Sequence, residues 1–355
     1  MDSPEYTPIL EENIANREDE DSEHTHKLTH NETSQQMVAA QDEELAQTRD
    51  TEGLQTIEDE LTMPVHINKH KRRHNKPKKA QDYVVSPQDY ACSGDDWSVI
   101  ENIRSEPSKE RNLVSIGDAF LKKRHLLSLL TPGEWVGDEV INTDINCMTA
   151  TEHLQVRSGG SVFLENACIS KMIKIGSYLP SDDMDAAPAW VLNRAKTYLE
   201  NDMVYFPINM EDVHWYLCVI NARKKCVQVL DSLGPYMSRK DLTDTLEGLE
   251  DLFKYASKHM ELKSDKWTDL DVTTWKREEY IKSSLQNDGS SCGLWMLNYM
   301  EYFTGDSLSD TPEQVHMTDF RIKLAVILVD SEFNDDDIRN RDLMMMKPTR
   351  IPPIV

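Results

Sequence analysis

The sequence is short of positive charge, of long apolar runs and of paired cysteines. Lys and Arg total 39 against 63 Asp and Glu, a formal net charge of -24 at pH 7. So acidic a chain repels phosphate, which argues against a general nucleic-acid binder and against nucleic-acid contact by the folded part. No apolar run reaches the ~18 residues a membrane helix needs, and no signal-peptide pattern opens the chain. A soluble protein that is neither secreted nor membrane-bound is expected. The six cysteines, Cys92, Cys147, Cys168, Cys218, Cys226 and Cys292, form no CxxC pair and no Cys/His spacing suited to zinc. Neither a disulfide framework nor a metal or cofactor site is expected, and a reducing compartment fits. Internal repeats are also absent.

What is present divides the chain. Residues 1–85 are poor in aromatics and crowded with acids, as in Glu18-Asp19-Glu20-Asp21, Asp42-Glu43-Glu44 and Glu58-Asp59-Glu60. Such a composition cannot bury enough apolar surface to offset ordering, so a disordered acidic arm is expected, with a transient helix over 37–61. The arm ends in the basic block Lys69-His70-Lys71-Arg72-Arg73-His74-Asn75-Lys76-Pro77-Lys78-Lys79. That block reads as a nuclear localisation signal, as a contact for an acidic surface, or as a solvated linker paired with the acids before it. The nucleus is the expected compartment, with the cytoplasm second. With 39% hydrophobic residues in the chain, residues 95–345 can form one folded domain, and 346–355 a loose Pro-rich tail.

Within the domain, apolar periodicity predicts helices over 120–130, which stops at Thr131-Pro132-Gly133, and over 135–148, 163–175, 183–200, 240–262 and 313–329. Residues 203–208, 214–220 and 226–230 are short runs rich in Val, Ile, Tyr and Phe, bounded by polar or turn residues. They predict strands covered on both faces. Helices flanking a central, mostly antiparallel sheet make an α+β protein.

Cys292 stands within Gln286-Asn287-Asp288-Gly289-Ser290-Ser291-Cys292-Gly293, downstream of His214-Trp215 and Asp231-Ser232-Leu233. A thiol nucleophile needs a base, an orienter for the base and donors for an oxyanion. His214, Asp231 and Gln286 offer one candidate for each. The link Asn221-Ala222-Arg223-Lys224-Lys225 suits an antiparallel hairpin. A turn centred near 222–224 puts His214 and Asp231 at the same open end, opposite or within about two residues in register. The carboxylate then meets the imidazole across neighbouring strands and fixes its tautomer.

Gly289-Ser290-Ser291 reads as a loop and 293–302 as a helix closed by Gly305. The thiol is thereby set at a helix N-terminus. There a pKa of about 8.5 falls to roughly 3.5–7.5 beside a His⁺, so a thiolate is expected at neutral pH. Gln286 can return its amide N–H to join the Cys292 backbone N–H as an oxyanion hole. Each residue alone has a plainer use, as a small buried hydrophobe, a packed histidine or a turn-starting Asp. Only the joint order of His, Asp, Gln and Cys on compatible elements favours catalysis. The reading is a cysteine protease.

These residues resemble the ubiquitin-like (SUMO) protease family of cysteine peptidases, the sentrin-specific proteases. The likeness spans roughly residues 113–332. It runs through Trp135-Val136-Gly137-Asp138-Glu139-Val140-Ile141-Asn142, Pro207-Ile208-Asn209 leading to His214-Trp215, Leu230-Asp231-Ser232-Leu233, and the stretch from Gln286 to Gly293. Ser291-Cys292-Gly293-Leu294-Trp295 and Asn298-Tyr299-Met300-Glu301-Tyr302 look like the plant branch, many of whose members are transposon-associated. The family pattern usually carries Asp just before the nucleophile, where Ser291 stands here; the catalytic set is left intact.

The resemblance implies a papain-like fold and thiolate hydrolysis of the peptide or isopeptide bond after a modifier's C-terminal Gly-Gly. The modifier is SUMO or another ubiquitin-like protein, and the enzyme a monomer without cofactor. It implies His214 as general base, Asp231 as orienter, Cys292 as nucleophile and Gln286 as oxyanion donor. It also implies that Trp135 and Trp215 enclose a narrow tunnel for the Gly-Gly tail, a role flat aromatic walls suit. Asp138 would meet a basic residue on the modifier. Without the resemblance each Trp is a core aromatic and Asp138 a helix N-terminal charge. Two other readings stay open: a non-catalytic module that holds a modifier, and a transposon-encoded accessory protein that keeps the protease fold.

Overall fold

Short apolar strands that bury both faces need helices on either side, and the chain supplies them in order. The computed structural model describes residues 89–176, 189–235 and 238–335, all within the unit Ile67–Val355. Helix α1 (Gly94–Ser105) precedes a hairpin of β1 (Asn112–Ile116) and β2 (Ala119–Lys122), then helices α2 (Lys123–Leu129) and α3 (Asp138–Thr149). Strands β3 (Val156–Arg157) and β4 (Gly160–Leu164) lead to helices α4 (Ala167–Ile175) and α5 (Ala189–Leu199). The three predicted strands follow as β5 (Met203–Met210), β6 (His214–Asn221) and β7 (Cys226–Leu230). Helix α6 (Lys240–His259), strand β8 (Lys276–Glu279) and helices α7 (Cys292–Tyr302) and α8 (Gln314–Val329) complete the domain.

The main sheet runs β3-β4-β5-β6-β7-β8. The β4–β5 and β7–β8 pairs are parallel and the others antiparallel, so the sheet is mixed and mostly antiparallel. Alternation along the strands divides the interior in two. Met203, Tyr205, Trp215, Leu217 and Val219 face a core shared with α1, α2, α3, α7 and α8. Val204, Phe206, Tyr216, Cys218 and Ile220 face a second core closed by α5, α6 and Ile173 of α4. Every residue of α7 is buried, as expected of a helix that is apolar on all sides. Fully burying side chains such as Leu294, Met296 and Leu297 stabilises by about 1.5–3 kcal/mol each, which makes α7 a rigid base for its first residue, Cys292.

Several boundaries differ from the sequence expectation, each for a local reason. Residues 120–130 are not one helix: Gly117, at φ 62°, turns the chain, Ile116 pairs with Ala119, and the hairpin finishes before α2 starts. Residues 135–137 form neither helix nor strand. Helix α3 starts at Asp138 because Gly137 takes the extended cap conformation and the Asp138 and Glu139 carboxylates favour the first turn. The predicted helix over 163–175 begins only at Ala167. Residues 162–164 pair in parallel with β5, and the Asn166 side chain caps α4 by accepting the Ile169 N–H at 2.7 Å. Helix α6 stops at His259, short of 262, where Met260 turns extended.

Gly305 does not close α7; the chain leaves the helix at Phe303 in an extended conformation. Gly305, at φ 93°, instead allows passage over Met203, whose Sδ would lie 2.3 Å from a Cβ. The arm 1–85, its basic block, the tail 346–355 and the first part of 183–200 lie outside the described residues.

Candidate active site

The hairpin register positions His214 and Asp231. Strand β7 ends at Leu230, which pairs with Leu217 of β6, so Asp231 emerges beside the start of β6. His214 Nε2 and Asp231 Oδ1 lie 2.7 Å apart, with both side chains buried. This is the cross-strand meeting the hairpin predicts. The Leu233 N–H donates to the same oxygen at 2.9 Å, and Arg239 Nη1 donates to Oδ2 at 2.8 Å. Arg239 stands just before α6, with its guanidinium 4.8 Å above the Tyr216 ring. Its Nε and Nη2 donate to the Glu279 carboxylate of β8 at 2.7 and 2.9 Å.

These contacts set the charges. Burial pushes the Asp231 carboxyl up, but the bonds from His214, Arg239 and Leu233 outweigh it and hold the group below its usual range. Burial likewise opposes a charged imidazole. Hydrogen bonds to Asp231 and Cys292, together with their charges, raise the His214 pKa to about 9. An imidazolium is therefore the stable form at neutral pH. Asp231 occupies Nε2, which leaves Nδ1 for the sulfur of Cys292.

Cys292 is the first residue of α7, and its predecessor Ser291 accepts the first helical bond from the Trp295 N–H at 3.0 Å. The Cys292 N–H has no acceptor among the described residues, the ordinary condition of a helix N-terminus. The Asp231-Ser232-Leu233 segment also fastens Gln286. Ser232 Oγ donates to Gln286 Oε1 at 2.7 Å, and the Ser232 carbonyl accepts from the Leu285 and Gln286 N–H groups. Gln286 Nε2 is directed at Asp288, donating to its carbonyl at 2.6 Å and to Oδ1 at 3.2 Å. The structure thus brings His214, Asp231, Cys292 and Gln286 to one place.

Gly293 shows what else packs there. A Cβ at this position would lie 3.2 Å from Val136, 3.4 Å from Ile141 and 3.5 Å from Trp215. Val136 of the segment before α3 and Trp215 therefore both press on the start of α7. Trp215 is 6% exposed and belongs to the core, whereas Trp135 is 46% exposed and does not. Asp138 opens α3 and lines a groove with Lys171, Lys174, Asn209 and Trp215, beside Trp215 rather than against the thiol. Burial pushes its carboxyl up, and Lys171 partly offsets this. No group of three or more His, Cys, Asp or Glu among the described residues is placed to hold a metal ion.

Sequence reasoning missed Arg239 and Glu279, because a lone Arg before an amphipathic helix and a Glu in the charged strand Lys276–Glu279 carry no motif. Asp288 lies within the Gln286–Gly293 stretch, but no motif gives it a role. The available signal is a carboxylate inside the loop that leads to Cys292.

Residues 135–331 match the Ulp1 protease family, C-terminal catalytic domain. The chain is 30% identical over 203 residues to Ubiquitin-like-specific protease ESD4 of Arabidopsis thaliana, covering 56% of this chain and 38% of that protein. It is 29% identical over 194 residues to Sentrin-specific protease 2 of Homo sapiens, covering 54% of this chain and 29% of that one. The chain thus spans less than half the length of either relative. Its fold is similar to that of the C-terminal Ulp1 protease domain solved in complex with Smt3, the yeast ortholog of SUMO. The TM-score is 0.51 at 16% identity, covering 68% of this chain and 97% of that one. The family match runs from residue 135, beside Gly293, through α7 to the end of α8, and the chain belongs to the Ulp1 protease family.

Proposed function

We propose that the protein is a cysteine peptidase that hydrolyses the peptide or isopeptide bond after the C-terminal Gly-Gly of SUMO or a related ubiquitin-like modifier. The observation that carries this reading is His214 held between Asp231, at 2.7 Å, and Cys292, on the scaffold of a protease family. The curated relatives quoted above, named as ubiquitin-like-specific and sentrin-specific proteases, support the substrate class.

The Cys292 thiolate attacks the terminal Gly carbonyl, and the charge that develops on oxygen meets the Cys292 N–H and the Gln286 amide. The imidazolium of His214 gives its proton to the departing amine, leaving a thioester on Cys292. Neutral His214 then takes a proton from water, whose attack frees the modifier carboxylate and restores the thiolate and imidazolium. Asp231 keeps a proton on Nε2 throughout, so that Nδ1 faces the sulfur. Trp135 and Trp215 wall the Gly-Gly tail, and Asp138 meets a basic residue of the modifier. Precursor processing and deconjugation use the same steps. The enzyme acts as a monomer in the nucleus, addressed by its basic block, and its catalytic domain binds no nucleic acid.

Hydrolysis of aminocoumarin amides of SUMO, ubiquitin and related modifiers by wild type and Cys292→Ser tests this. Release from at least one modifier, lost in Cys292→Ser, is the expected result. A folded wild-type chain that releases nothing from the panel overturns the reading.

A further inference from the structure

The loop before the nucleophile is organised by a carboxylate that takes no part in the steps above. Asp288 Oδ1 accepts the backbone N–H groups of Ser290 and Ser291 at 3.1 and 2.9 Å, and Oδ2 accepts Ser291 Oγ at 2.6 Å. Gln314, the first residue of α8, donates Nε2 to the same Oδ2 at 2.7 Å. Its Oε1 accepts the Asn287 N–H at 3.2 Å and Trp295 Nε1 at 3.3 Å. Arg321, buried further along α8, donates to the Ser290 carbonyl at 3.0 Å. The loop is thus fastened at 287, 288, 290 and 291, largely to one helix.

Both donors of the oxyanion site depend on this fastening. The two N–H groups held by Asp288 belong to the residues just before Cys292, so they orient the peptide plane that carries the Cys292 N–H. The Gln286 amide meets Asp288 twice, at the carbonyl at 2.6 Å and at Oδ1 at 3.2 Å. The longer contact is the one a developing oxyanion can take over, while the carbonyl keeps the amide in plane. A carboxylate near an oxyanion would repel it if left bare. Here five donors surround it, from Ser290, Ser291 twice, Gln314 and Gln286.

We propose that Asp288, braced by Gln314, is the positioning residue of the oxyanion site, aiming the Gln286 amide and the Cys292 N–H at the developing charge. The proposal rests on the peptidase reading but concerns geometry, since Asp288 touches no reacting atom.

The test uses the full chain with Asp288→Ala, Asp288→Asn and Gln314→Glu. Turnover of a Gly-Gly-ended modifier aminocoumarin, iodoacetamide alkylation of Cys292 and amide exchange of Ser290 and Ser291 are measured on each. Asp288→Ala should lower kcat by about 10²–10³, the loss typical of one oxyanion donor, with KM and alkylation within about threefold of wild type. Asp288→Asn, which keeps one acceptor oxygen, should recover about tenfold of that loss. Gln314→Glu sets a like charge beside Asp288 and should also lower kcat, which keeps the test open if Asp288→Ala fails to fold. Wild-type kcat in Asp288→Ala or Gln314→Glu overturns the proposal. Equal losses of kcat and alkylation do the same, because they mean the loop merely packs. If wild type turns over no substrate, the peptidase reading fails by itself. The exchange measurement then decides the clamp: unchanged protection of Ser290 and Ser291 in the variants overturns it.

Discussion

Arg239 and His214 grip the same carboxylate from opposite sides: Arg239 Nη1 meets Asp231 Oδ2 at 2.8 Å, and His214 Nε2 meets Oδ1 at 2.7 Å. An Asp that only accepted from His214 could pivot about its side chain. Held at both oxygens, and by the Leu233 N–H, it offers one orientation to the imidazole. Glu279 in turn holds Arg239, so His214 is positioned by a chain of charges running from β8 through the turn before α6 to β6.

Arg239→Ala should be strongly destabilising, since removing one partner of a buried pair typically costs about 3–5 kcal/mol. Arg239→Lys keeps the charge but cannot fork to both Asp231 and Glu279, so it should recover part of the stability. Denaturant unfolding measures both. A change below about 1 kcal/mol in the Ala variant would show the pair to be dispensable.

How legible this was depended on where the determining contacts lie. The β6–β7 hairpin could be read because its link is short and its runs are apolar, and that alone brings His214 to Asp231. Strand β8, Lys276–Glu279, is entirely charged and pairs at the sheet edge, so no hydrophobic pattern announces it. Strand β2 has four residues, too few for alternation to separate it from the helix that follows. The Gly117-Asp118 turn was the available sign. Arg239, Gln314 and Arg321 act through tertiary contacts that sequence spacing does not encode. The motif around Cys292 places the thiol at a helix start, yet it does not show that Gln286 is held by Ser232 and Asp288.

The pH dependence follows from two opposite shifts. His214 is raised from 6.5 to about 9, so its stabilising contribution is complete below pH 6.5 and is lost as pH rises through 9. Asp231 is lowered from 3.8, so its contribution is present above that pH and is lost as pH falls through the depressed value. The alkaline limb of kcat/KM should therefore lie near pH 9. In Cys292→Ser, which removes the sulfur partner, NMR titration should find the His214 pKa lower than in wild type. An alkaline limb near 6.5, or an unshifted His214 in Cys292→Ser, would contradict this coupling.

Among the cysteines, Cys292 should be alkylated first by iodoacetamide at neutral pH. Burial pushes the Cys218 thiol far up and that of Cys226 up to about 11. Cys168 is exposed and meets the Asn142 amide at 3.5 Å, with no base as a hydrogen-bond partner among the described residues. Peptide mapping after brief treatment reads the order, and Cys168 labelled ahead of Cys292 would sink the assignment.

The two tryptophans should separate in their effects. Trp135 is half-exposed, so Trp135→Ala should leave folding and alkylation of Cys292 nearly intact. It should cut turnover of a Gly-Gly-ended modifier by about 10²-fold through misplacement of the tail. Trp215 lies in the core against Gly293, so Trp215→Ala should also destabilise the fold by about 3–5 kcal/mol. Equal losses of turnover and alkylation in Trp135→Ala would remove the tail-binding role.

The most direct test of the peptidase reading is covalent capture. Each modifier of a panel, SUMO and ubiquitin included, is made with a thiol-reactive group in place of its last carboxylate and mixed with the full chain. The expected product is one adduct, mapped to Cys292, formed with at least one modifier, slowed in His214→Ala and absent in Cys292→Ser. A folded chain that forms no adduct with any modifier, or forms one at a different cysteine, contradicts the account.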